Sequence, residues 1–157
     1  MSEFTLPSEV TDGYMRIIVG IDESDGSVLA LQHAIGLAQK FGSTVEAVSV
    51  WRFPVSYTPL PATWSPDEDA KLALKHISDT VFGADWPSWY TATVRQGSPA
   101  DVLIALGSSA DLLIVGSRGL GGFTGLLLGS VSSQVVEHAT CPVLVVRSPG
   151  EHTDDGH

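Results

Sequence analysis

The chain has a single cysteine, Cys141, in 157 residues, so no intrachain disulfide can staple it. That fits a reducing cytoplasm, which is the expected location. Basic residues are scarce: eight Lys and Arg stand against eighteen Asp and Glu, a formal charge of −10. A field of that sign repels nucleic acid and anionic lipid at long range and argues against either as a partner. It repels a free nucleotide polyphosphate too, so a phosphate site has to win locally, through backbone N–H groups, an arginine or a divalent metal. Long apolar runs are missing, and the stretches present are far shorter than the roughly twenty residues a membrane helix needs. The opening Met1-Ser2-Glu3-Phe4-Thr5-Leu6-Pro7 has neither a basic patch nor an apolar core, so no secretory signal is expected.

What is present is enough for one folded domain. A length of 157 residues matches a single unit, and 43% hydrophobic content can form a core. Residues 1–13 and the acidic 148–157 are polar and unpatterned and read as flexible tails around a domain of residues 14–147. Within it, strand and helix patterns alternate. Arg16-Ile17-Ile18-Val19-Gly20-Ile21-Asp22 is a β-branched run suited to a strand buried on both faces. Ser24-Asp25-Gly26 offers a helix N-cap; Val28, Leu31, Ile35 and Ala38 follow at helical spacing, and Phe41-Gly42 marks the end. Thr44 to Trp51 is a second strand, and Pro66-Asp67-Glu68-Asp69 a helix first turn. Trp89 to Arg95 alternates like a strand, and Ser98-Pro99-Ala100 opens a helix reaching about Ser109. Leu112 to Gly116 is a fourth strand, Ser130 to Ala139 a helix, and Pro142 to Arg147 a fifth strand.

Five strands separated by helices predict a parallel sheet covered on both faces. Ligands of such open sheets bind beyond the carboxyl ends of the strands, where strand order reverses. The residues at those ends are Gly20-Ile21-Asp22 and Gly116-Ser117-Arg118-Gly119. The segment from Arg52 to Ser65 carries Pro54, Pro59 and Pro61 with Phe53, Tyr57 and Trp64. It reads either as a lid over the cleft or as a proline-stiffened cover over apolar surface. His33, His76 and His138 lie on predicted helices with no partner at ligand spacing and read as surface residues.

The chemistry concentrates in the segment from Gly116 to Ser130, which leaves a strand, crosses a glycine-rich loop and enters a helix. Five glycines stand in the stretch from Gly116 through Gly125, both included, more than a turn requires. Glycines let a phosphate approach the backbone, and the helix start supplies N–H donors, with the hydroxyls of Ser130 and Ser132 beside them. Arg118 is the only cation of the loop and can pair with a phosphate or face solvent. A P-loop is excluded because Gly129-Ser130 lacks the lysine. The dinucleotide fingerprint is excluded because Thr124 stands where its third glycine would be, and because the first turn lacks the pattern.

The spacing that remains is G-x2-G-x9-G-Ser, formed by Gly116, Gly119, Gly129 and Ser130. It resembles the nucleotide-binding motif of the universal stress proteins, in the subgroup that binds ATP. Val19-Gly20-Ile21-Asp22-Glu23-Ser24 is similar to that family's opening strand and acidic turn, and Gly97-Ser98-Pro99-Ala100 to its turn into the third helix. Asp111 to Gly119 and Cys141-Pro142-Val143-Leu144-Val145-Val146 are similar to its fourth and fifth strands. The resemblance runs from Met15 to Arg147. It implies a Rossmann-like α/β fold of the adenine nucleotide alpha hydrolase type, with an open five-stranded parallel sheet in the order 3-2-1-4-5.

The resemblance further implies ATP, or ADP or AMP, as ligand, with or without Mg2+. Asp22 would lie near the ribose and phosphates or hold the metal; as a residue type it reads equally as a turn or helix-capping acid. Val50 would offer its backbone to the adenine, Val115 and Gly116 would line the ribose, and Gly119, Gly129, Ser130, Val131 and Ser132 would surround the phosphates. In that strand order residues 143–146 form an apolar sheet edge, which implies a homodimer paired through this strand. The implied role is that of a stress-response regulatory protein. Two alternatives stay open: a slow metal-dependent ATP hydrolase, and a nucleotide-free dimeric interaction module.

Overall fold

The computed structural model describes residues 15–55, 58–119 and 127–148. The expected tails apart from residue 148, residue 14 of the expected domain, Tyr57 and its neighbour 56 in the proline-rich segment, and the middle of the glycine loop, residues 120–126, lie outside them. Among the described residues nine elements follow one another: β1 (Arg16–Ile21), α1 (Asp25–Phe41), β2 (Thr44–Trp51), α2 (Pro66–Phe82), β3 (Tyr90–Gln96), α3 (Pro99–Gly107), β4 (Leu112–Gly116), α4 (Ser130–His138) and β5 (Val143–Val146). The strands form one parallel sheet in the order β3-β2-β1-β4-β5.

After Arg16, β1 carries no polar side chain, because both of its faces are covered. Ile17, Val19 and Ile21 pack with Leu31 and Ala34 of α1 and Leu74 of α2. Ile18 points the other way, into a second core with Leu103 of α3 and Val135 of α4. Ile17, Ile18 and Val19 are all at 0% exposure, and each such side chain contributes roughly 1.5–3 kcal/mol on leaving water.

Local signals set the helix ends. The Ser24 hydroxyl accepts from the Ser27 N–H at 3.2 Å, and Gly42, at φ 65°, takes the left-handed turn that ends α1. Pro66 opens α2, followed by Asp67, Glu68 and Asp69. The sequence places the end of α3 at Ser109, two residues late. After Gly107 the N–H groups of Ser108, Ser109 and Ala110 donate to carbonyls three residues back, so the helix tightens and stops. β3 begins at Tyr90 rather than Trp89 and runs to Gln96, because its ladder with β2 starts at the Val45–Tyr90 pair. β1 stops at Ile21, leaving Asp22 in the turn, and β5 is trimmed to four residues.

Candidate functional site

β1 and β4 lie side by side, with Val19 opposite Ile114. The chain leaves β1 toward β2 through α1 and leaves β4 toward β5 through α4, and those helices cover opposite faces. Strand order therefore reverses between these two strands, and the crevice at their carboxyl ends is the expected ligand position.

A cavity of about 120 Å³ occupies that crevice, room for several water molecules. Its floor and one wall are apolar: Gly20, Val48 and Val50 from the strands, Pro99 and Leu103 from α3. Its other end is polar, with Asp22, Ser27, Gly116, Arg118, Gly119 and Ser132. Gly20 keeps the floor low, since a Cβ there would stand 2.8 Å from Leu103 Cδ1.

The turn after β1 is pinned by hydroxyls. The Asp22 carboxylate accepts through Oδ1 from the Ser24 N–H at 3.0 Å and from the Ser24 hydroxyl. The Asp22 N–H donates to Ser27 Oγ at 3.2 Å, and the Ser27 hydroxyl donates to the Ser24 carbonyl at 3.0 Å. Glu23 sits at φ 67°, the one non-glycine residue with positive φ among the described residues. Asp22 thus acts as the turn acid and also stands in the cavity wall. Its Oδ2 faces the backbone of Gly119, so closely that a Cβ there would be 2.5 Å away.

The loop after β4 is closed at its base. The Ser117 N–H donates to the Val146 carbonyl at 2.8 Å, and the Ser117 carbonyl accepts from the Gly129 N–H at 2.7 Å and the Ser132 hydroxyl at 2.8 Å. Gly129 is needed for that closure, since a Cβ would meet Arg118 Cα at 3.3 Å and Gly119 N at 3.4 Å. The start of α4 is thereby held against Arg118 and Gly119, the described part of the loop nearest the cavity.

Most of the residues singled out in the sequence converge here. Gly20, Ile21, Asp22, Val50, Val115, Gly116, Arg118, Gly119, Val131 and Ser132 all line the cavity. Ser117 does not: it is fully buried and works as the clasp of the loop. Gly129 and Ser130 stand at the start of α4, outside the lining. The Ser132 hydroxyl, read from the sequence as a phosphate ligand, donates its proton to Ser117 in this structure. Four lining residues were not foreseen: Ser27, Val48, Pro99 and Leu103. Pro99 and Leu103 are four apart on α3 and share a face, a signal that shows which residues go together but not what they face.

A second cavity of about 340 Å³ adjoins the first, and Asp22 and Val50 stand in the walls of both. It is bordered by Glu23, Trp51, Trp64 and Asp69. The Trp64 indole N–H donates to Asp69 Oδ2 at 3.0 Å, and Trp51 meets Phe53 edge-on at 5.2 Å. Both ends of the 52–65 segment are thus anchored beside the cleft. His33, His76 and His138 are exposed on their helices.

Comparison with known proteins agrees with this fold. Residues 13–147 match the model of the universal stress protein family. A universal stress protein of Mycolicibacterium smegmatis is 38% identical over 141 residues, covering 87% of this chain and 47% of that protein. The chain therefore spans about half the length of the first curated relative it matches. Among solved structures, the universal stress protein UspA of Lactobacillus plantarum superposes with a TM-score of 0.69 at 25% identity, over 85% of this chain and 98% of that one. A universal stress protein in complex with cAMP superposes with a TM-score of 0.62 at 28% identity, over 85% of this chain and 97% of that one.

Proposed function

The chain belongs to the universal stress protein family, and on that footing we propose that it binds an adenine nucleotide between the carboxyl ends of β1 and β4. The observation that carries the reading is the two-part chemistry of the cavity. An apolar slot of Val48, Val50, Pro99 and Leu103 adjoins a polar end of Asp22, Arg118 and Gly119. The slot suits a flat base, with the Val50 backbone offered to its polar edge. Val115 and Gly116 line the ribose. Arg118, Gly119, Gly129, Ser130, Val131 and Ser132 surround the phosphates, where the N–H groups opening α4 favour an anion. The relative solved with cAMP supports an adenine ligand.

ATP is the proposed nucleotide, with ADP and AMP sharing the base and ribose contacts. Mg2+ fits the donor chemistry of the site. Among the described residues no group of three or more His, Cys, Asp or Glu could form a cage. A Mg2+ ion commonly takes one or two carboxylates and completes its shell with phosphate oxygens and water; Asp22 would be that carboxylate. Nucleotide occupancy would alter a partner surface or the dimer, the behaviour of a cytoplasmic stress-response regulator. The dimer would pair Val143–Val146 of one copy with the same strand of another, covering the sheet edge.

Calorimetric titration of the nucleotide-stripped protein with ATP and MgCl2, followed by a phosphate-release assay, tests this reading. Saturable binding with negligible release is the expected result. Saturable binding with steady release would replace the regulator by the slow hydrolase. Absence of binding by every adenine nucleotide would leave the nucleotide-free interaction module.

A further inference from the structure

The Asp22 carboxylate faces the backbone of Gly119, one of the glycines assigned above to the phosphates. Its Oδ2 stands 2.5 Å from where a Cβ there would be. The carboxylate is held in that direction, because Ser24 donates to its Oδ1 through both N–H and hydroxyl. The turn behind it is fixed in turn by Ser27, which is 3% exposed. Among the described residues lining the cavity, Arg118 is the one cation, and the chain as a whole carries −10. A single guanidinium can offset one negative charge near Asp22. It cannot offset three or four.

We propose that Asp22 sets the number of phosphates this cleft accepts. Its carboxylate acts as a built-in anion at the phosphate end, so that without a divalent cation affinity falls with each phosphate added to AMP. The inference rests on the adenine-nucleotide reading above and refines it: the cation-free protein is a site for adenosine and its monophosphate, and a divalent cation converts it to a triphosphate site. The physical basis is repulsion between like charges at close range, which neutralisation of either partner removes. Because Asp22 is exposed at the cavity mouth, salt screens the effect.

The test is a ladder of adenosine, AMP, ADP and ATP titrated into the stripped full chain, first in EDTA and then in excess MgCl2. In EDTA the expected order is AMP tighter than ADP and ADP tighter than ATP, with about tenfold or more between the ends. Added NaCl compresses the ladder, and MgCl2 abolishes or inverts it. In D22N the ladder in EDTA is expected to flatten to about twofold. ATP binding as tightly as AMP in EDTA would overturn the inference while leaving the nucleotide site standing. A full ladder retained in folded D22N would overturn it equally. Failure of adenosine and AMP alike to bind would instead overturn the adenine-nucleotide reading, and this inference with it.

Discussion

A Cβ on Gly116 would stand 2.8 Å from the carbonyl carbon of Gly26 and 2.9 Å from its oxygen. Neither contact is to a flexible side chain, so the end of β4 and the first turn of α1 meet backbone to backbone. Gly26 in turn lies under the loop, its own Cβ position 3.2 Å from the Arg118 carbonyl. This pair of glycines brings the turn bearing Asp22 beside the loop bearing Gly119. The glycine at 116 therefore answers a demand of the protein's own packing, before any ligand arrives.

Gly116→Ala should push α1 from β4. Overpacking of this kind costs about 1–3 kcal/mol, and the urea midpoint should fall accordingly, with a loss of nucleotide affinity alongside. An unchanged midpoint would mean that the two backbones can separate without penalty.

Gly119→Val and Gly129→Val should both abolish nucleotide binding but differ in stability. Gly119 is exposed, and its new side chain would meet the Asp22 carboxylate, so the melting temperature should stay near wild type. Gly129 is buried against Arg118 and Gly119. Its valine should open the Ser117 clasp and lower the melting temperature by about 2–4 °C per kcal/mol lost. Retained nucleotide affinity in both folded variants would remove the phosphate site from this loop.

Glu46 should make stability depend on acid. Burial works against its carboxylate, but hydrogen bonds from Arg16 and Thr93 and the charges of Arg16 and Arg95 outweigh burial and hold its pKa below the ordinary 4.5. A carboxylate depressed in the folded state stabilises above its unfolded pKa, and that contribution fades as pH falls below 4.5 through the folded value. Arg16 is 37% exposed in this pair, so the contribution is about 1 kcal/mol or less. The stability gap between wild type and Glu46→Gln, measured by denaturant at neutral pH and again below pH 4.5, should shrink in acid. A gap independent of pH would assign the loss to packing alone.

Val145→Glu should give monomers. Val143, Leu144 and Val145 are only partly buried in the single chain, on the edge strand β5. A carboxylate there should block pairing of two such edges. Sedimentation velocity should show a wild-type dimer and a monomeric variant; a variant that stays dimeric would move the interface elsewhere.

Much of this was written locally in the chain. The run Ile17-Ile18-Val19 is apolar on both faces because α1 and α2 cover one and α3 and α4 the other, and continuous burial reads directly as continuous hydrophobicity. The helix starts at Ser24 and Pro66 and the stop at Gly42 are likewise single-residue chemistry. Asp22 and Gly116 were legible as candidate site residues because strand ends are legible, and in an open parallel sheet ligands gather at strand ends; both line the cavity. What only the tertiary structure decided is which distant groups meet there. Leu103 reads as one more apolar helix residue until α3 sets it over Gly20, and Ser117 as one more loop hydroxyl until its carbonyl receives Gly129 and Ser132. The Gly26–Gly116 contact and the Asp22 carboxylate over Gly119 join segments about ninety residues apart. Periodicity and propensity report how each segment meets water or core; they carry no record of how closely two backbones approach. That distance is set by the packing of α1 on the sheet, and it gives the cleft its shape and its charge.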